Sequence, residues 1–95
     1  MSDASAVRVL VSGRVQGVFF RQTTRSIAHD LGLQGWVRNR AEGDVEILAI
    51  GTEPNLRAFL RYCKEGPPMA AVDDVTVEWI DVGEAGVLSE AFEIR

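Results

Sequence analysis

Between Ser12 and Phe20 the apolar residues stop alternating and begin to recur every three or four positions. That change of period, made once in each direction and then repeated, fixes the order of elements. Residues 7–12 are rich in β-branched side chains and read as a strand ending at Gly13. From about Phe19 the pattern is helical through Phe20, Thr23 or Thr24, Ile27 and Leu31, with Gly32 as the left-handed residue that closes the helix. Residues 34–39 and 44–50 return to strand character, Val45, Ile47 and Ala49 alternating with Glu46 and Leu48, and Gly43 in the short connection signals a hairpin. Thr52, Glu53 and Pro54 then open a second helix with a capping hydroxyl, an acid at the positive end of the dipole and a proline in the first turn. Its buried stripe is Leu56, Phe59, Leu60 and Cys63, its wet side can pair Glu53 with Arg57 and Arg61 with Glu65, and Gly66-Pro67-Pro68 stops it. Residues 75–80 alternate as a fourth strand, and Phe92 to Ile94 can add a short fifth one at the edge.

The order is therefore βαββαβ, and two helices are too few to cover both faces of a sheet. The expected fold is an α+β ferredoxin-like sandwich: an antiparallel-rich sheet of four strands, with the short fifth as an addition and both helices on one face. A chain of 95 residues has room for one such domain, placed at 7–95 behind a flexible tail at 1–6.

Charge narrows the function. The formal net charge is −4, which argues against nucleic acid as partner, but residues 1–40 carry +4 and residues 41–95 carry −8. Such a split directs the search for an anion site to the first two-fifths of the chain. No stretch is long and apolar enough for a membrane span, which needs about 20 residues, and Met1 to Ala6 lack the basic start and apolar run of a signal peptide, so a cytoplasmic location is expected. One cysteine, Cys63, and one histidine, His29, cannot make a disulfide or a zinc site.

The segment from Ser12 to Arg21 joins the first strand to the first helix and holds Gly13 and Gly17. Two glycines there permit unusual backbone angles at a helix start, where free N–H groups and the dipole favour an anion. On glycine spacing alone, a turn with two permissive glycines is the simpler reading. Arg21 shifts the balance. A cation in the first helical turn is unfavourable by about 0.3–1 kcal/mol, and a helical side chain points back over the loop, where a planar guanidinium suits phosphate. The second candidate follows from topology. Two strands joined by a helical crossover run parallel, so the end of the second strand, Asn39, lies at the same sheet edge as the loop. Its amide both donates and accepts, as holding a water requires, although a hairpin asparagine placed for turn reasons is an equally good reading of the spacing.

Gly13-Arg14-Val15-Gln16-Gly17-Val18-Phe19-Phe20-Arg21, followed by Gly35-Trp36-Val37-Arg38-Asn39 and then Gly43, Val45 and Gly51, resembles the signature of the acylphosphatase family in both of its halves. The match covers nearly the whole chain. The resemblance implies a small, monomeric enzyme that hydrolyses the carboxyl-phosphate bond of small acyl phosphates without metal, cofactor or covalent intermediate. By that resemblance Arg21 binds the phosphoryl group together with the amides of Val15, Gln16, Gly17, Val18, Phe19 and Phe20, and Asn39 orients the attacking water. Arg38 stands where many relatives have lysine, and the sequence ends at Arg95 where some add an aromatic; neither position touches the implied chemistry.

Other residues read as structural. His29 is a surface residue near a helix end, Cys63 a small core hydrophobe, Asp73-Asp74 a solvated loop pair, and Trp36 and Trp79 core or sheet-face residues. Two rival functions remain at this level. A module of the same fold could bind carbamoyl phosphate or another small phosphorylated ligand without cleaving it. A four-stranded RNA-binding sheet would need stacking aromatics on its third strand, and Val45 to Ile50 has none.

Overall fold

The elements run β1 (Ala4–Arg14), α1 (Phe20–Asp30), β2 (Gln34–Asn39), β3 (Val45–Thr52), α2 (Glu53–Glu65), β4 (Ala71–Ile80), α3 (Val82–Ala85) and β5 (Phe92–Ile94). They are seen in a computed structural model that describes residues 4–17, 19–86 and 91–95. One five-stranded sheet has the order β4-β1-β3-β2-β5. β3 is antiparallel to both β1 and β2, which makes those two parallel to each other and α1 the crossover between them. β1 is likewise antiparallel to β3 and β4, with α2 as their crossover. α1 packs over β2 and β5, and α2 over β1, β3 and β4. The ferredoxin-like sandwich is as expected, and the short fifth strand is present, parallel to β2.

The alternation decides which side chains face the helices. Val7, Val9 and Val11 of β1, Val37 of β2 and Val45, Ile47 and Ala49 of β3 meet Phe20, Ala28, Leu56, Phe59 and Cys63 in one core. Burying one large apolar side chain contributes about 1.5–3 kcal/mol. β3 lies in the middle of the sheet and is buried on both faces, so Glu46 and Leu48 are enclosed as well. A buried carboxylate is tolerable only when paired. Arg38 Nε donates to Glu46 at 2.7 Å, and Arg8 Nε lies 3.7 Å from its other oxygen.

Several boundaries differ from the expectation, each because a partner strand extends the element. β1 begins at Ala4, within the stretch expected to be a tail, where Ala4, Ser5 and Ala6 pair with Thr52, Gly51 and Ile50. β4 begins at Ala71 rather than residue 75, because Ala71 and Val72 pair with Arg14 and Gly13 beyond a bulge. Asp73-Asp74 is therefore a pair on an exposed edge strand and not a loop. Thr52 precedes α2, but its hydroxyl makes no cap; the chain there is still in extended β3 geometry. Glu53 and Arg57 pair at 3.5 Å, whereas Arg61 and Glu65 do not. The one-turn helix α3 had no signal in the sequence.

Gly35 shows how tightly β2 is set beside β3. Its φ is 137°, and an added Cβ would overlap the backbone carbonyl of Leu48. Gly35→Ala must either strain or separate the two strands, at about 3 kcal/mol or more, which lowers Tm by roughly 12 °C or more. A thermal melt followed by circular dichroism checks this; an unchanged Tm would show that the sheet gives way without cost.

Candidate active site

β1 leaves its partner at a defined point. Its pairing with β3 ends at Val11 and Val45, while its pairing with β4 goes on to Arg14 and Ala71 through a register shift after Ser12, where Asp73 of β4 is the extra residue. Gly13 takes φ 118° and Gly17 φ 73°. Phe19 has φ 62° and ψ 21°, and among the described residues it is the only non-glycine with a positive φ. A left-handed conformation costs a side-chain-bearing residue about 1–2 kcal/mol. The turn that results sends the Phe19 ring outward, 73% exposed, and the Phe20 ring inward, 1% exposed. Phe20 stacks obliquely on Tyr62 with ring centres 6.0 Å apart, and Val15 is equally buried. The loop is thus anchored at both ends by apolar side chains, which leaves its backbone at the surface of a cavity.

That cavity, of about 300 Å³, is lined by Val15, Gly17, Phe19, Phe20, Arg21 and Asn39, together with Gln22 and Ile94. Six of the eight residues expected at the site therefore come together. Val18 lies outside the described residues, and Gln16 turns elsewhere: its Nε2 donates to the carbonyl of Arg40 at 2.8 Å and to that of Asp44 at 2.9 Å. Gln22 and Ile94 were missed. Gln22 needed only its place beside Arg21 in the first helical turn, but Ile94 depends on β5 choosing β2 as a parallel neighbour, with Val37 opposite Ile94.

The electrostatics suit an anion. α1 starts with no side-chain cap and no acid in its first turn, so its leading N–H groups are unclaimed by the helix. Arg21 makes no ion pair or hydrogen bond among the described residues. Asp30, at the far end of α1, lies 4.0 Å from His29. Two other arginines near this edge, Arg40 and Arg38, are occupied. Arg40 Nη2 pairs with Glu42 at 2.6 Å and its Nη1 with Asp44 at 3.4 Å, while Arg38 is held by Glu46. Among the described residues that line the cavity, the positive charge is that of Arg21. Across from it, Asn39 Oδ1 is buried and has no hydrogen-bond partner among the described residues. A buried acceptor left in that condition costs about 1–3 kcal/mol.

The residues read as structural stay so. Burial pushes the Cys63 thiol up to about 12, so it is no thiolate nucleophile at neutral pH. Burial likewise raises the Tyr62 hydroxyl to about 12, opposed by its hydrogen bond with Thr24. Trp36 lies on the sheet face away from the helices, with Arg38 and Arg95 within 5.5 Å of its ring centre; Trp79 is stacked at 5.5 Å by Arg57. No helix among the described residues is long and apolar enough to cross a membrane.

Fold and site together describe a small α+β sandwich with a cavity at a helix start whose electrostatics suit an anion. A family model described as Acylphosphatase matches residues 7–94. An acylphosphatase of Anaeromyxobacter dehalogenans is 48% identical over 96 residues, covering 100% of this chain and 99% of that one. The solved acylphosphatase of Coxiella burnetii superposes with a TM-score of 0.87 at 40% identity, over 98% of this chain and 94% of that one. Full-length HypF in its phosphate- and nucleotide-bound form gives a TM-score of 0.81 at 29% identity, over 97% of this chain but 12% of that protein. The chain belongs to the acylphosphatase family.

Proposed function

We propose that this cavity hydrolyses the carboxyl-phosphate bond of small acyl phosphates, with Arg21 and the loop amides holding the phosphoryl group and Asn39 holding the attacking water. The observation that carries this reading is the presence of two unspent groups on one cavity: an arginine and a buried asparagine oxygen, each with no partner among the described residues.

Phosphoryl transfer asks a protein chiefly for positioning and for charge stabilisation. The water oxygen bonds to phosphorus as the bond from phosphorus to the acyl oxygen breaks, and its electron pair leaves on the carboxylate. An acyl phosphate dianion and water thus give a carboxylate and dihydrogen phosphate, the water's proton passing to a phosphoryl oxygen. The conjugate acid of the leaving group has a pKa of about 4, so it departs unprotonated at neutral pH. No general acid is needed, and among the described residues the cavity lining holds no histidine or carboxylate to act as one.

The expected result is turnover of benzoyl phosphate, unchanged by a chelator. Absence of turnover would sink the enzyme reading in favour of its rival, a module that binds a phosphorylated ligand without cleaving it. Complete loss with chelator would overturn the metal-free mechanism.

A further inference from the structure

The site is built from two parts of the chain that the sheet does not join. The loop after β1 carries the anion-binding groups, and the end of β2 carries Asn39. β1 and β3 stop pairing at Val11 and Val45, so beyond that point no ladder holds the loop to the hairpin between β2 and β3. The side chain of Gln16 crosses this gap. A primary amide nitrogen has two hydrogens, and both are used: one on the carbonyl of Arg40, the residue after Asn39, and one on that of Asp44, the residue before β3. The same two carbonyls close the hairpin itself, since Gly43 N donates to Arg40 O at 3.1 Å and Arg40 N to Asp44 O at 2.9 Å.

We infer that Gln16 is a positioning residue for the hydrolysis proposed above: its side chain clamps the hairpin to the loop and so sets the place of Asn39, and of the water it holds, relative to the bound phosphoryl group. The phosphate-binding parts, Arg21 and the start of α1, lie on the loop's own side of the clamp. Loosening it therefore displaces the water and leaves anion binding in place. In-line attack is sensitive to such displacement, and a misplacement of about 1 Å can cost 10²-fold.

Two variants separate this from a packing role. Gln16→Met keeps nearly the same length and removes both donors; Gln16→Glu fills the same space and presents acceptors to two carbonyl oxygens. Steady-state kinetics with benzoyl phosphate are expected to show kcat reduced by about 10- to 100-fold in Gln16→Met. Gln16→Glu should lose at least as much, with the inhibition constant for inorganic phosphate within about twofold of wild type in both. Full kcat in a folded Gln16→Met or Gln16→Glu would overturn the clamp and leave the hydrolytic reading standing. A phosphate inhibition constant that rises in step with the loss of kcat would assign Gln16 to anion binding and overturn it as well. The inference rests on the proposed hydrolysis, and a wild-type protein with no turnover would overturn both.

Discussion

Arg21→Ala is expected to lower kcat/KM for benzoyl phosphate by about 10³-fold or more, the scale on which a transition-state arginine acts in phosphoryl transfer. Inorganic phosphate should cease to be an effective competitive inhibitor. Stability should not fall with activity. The guanidinium has no partner to lose among the described residues, and removing a cation from a first helical turn relieves about 0.3–1 kcal/mol of unfavourable interaction with the dipole. Arg21→Lys should recover little, because a point charge cannot present two parallel donors to a phosphoryl group. An Arg21→Ala protein that keeps its turnover would make Arg21 a solvated surface residue and leave the loop amides as the only anion site.

Asn39→Ala is expected to lower kcat by about 10²–10³-fold, the cost of removing one oriented polar group from a reaction centre. Phosphate inhibition should persist in this variant, since Arg21 and the loop remain. The melting temperature should hold or rise, because the variant removes a buried acceptor that none of the described residues satisfies. Full activity in Asn39→Ala would restore the plain hairpin role that the spacing allowed equally well. The two variants together divide the site: one loses binding and rate, the other rate alone.

The parts of the fold that could be read from the sequence are those whose evidence is local. β2 has the boundaries expected because Leu33 and the hairpin residues bracket a short alternating run, and the start and stop of α2 follow from Pro54 and Gly66. The ends of β1 and β4 were not legible. Ala4 to Ala6 have little strand character of their own and are extended because Thr52 to Ile50 offer them a ladder. Asp73-Asp74 lies within a strand only because Ser12 pairs with Asp74 and β1 goes on past the register shift to meet Val72 and Ala71. The same division holds at the site. Arg21 stood out by breaking a rule of helix electrostatics, and Asn39 by topology and by a family pattern. The reach of Gln16 left no trace, because its partners are two backbone carbonyls, and a carbonyl has no identity in a sequence.

The acidic second half of the chain has a use unrelated to the ligand. β4 is a ten-residue strand at the open border of the sheet, whereas the opposite border, β5, is only three residues long. A long unpaired border invites another polypeptide to add itself as the next strand, the first step of aggregation. Asp73, Asp74 and Glu78 are exposed along it. A second copy approaching in register, or a partly folded chain with β4 bared, would bring like charges face to face. The charge asymmetry that pointed to an anion site at one end of the molecule thus also guards the side on which the protein is most open to self-association.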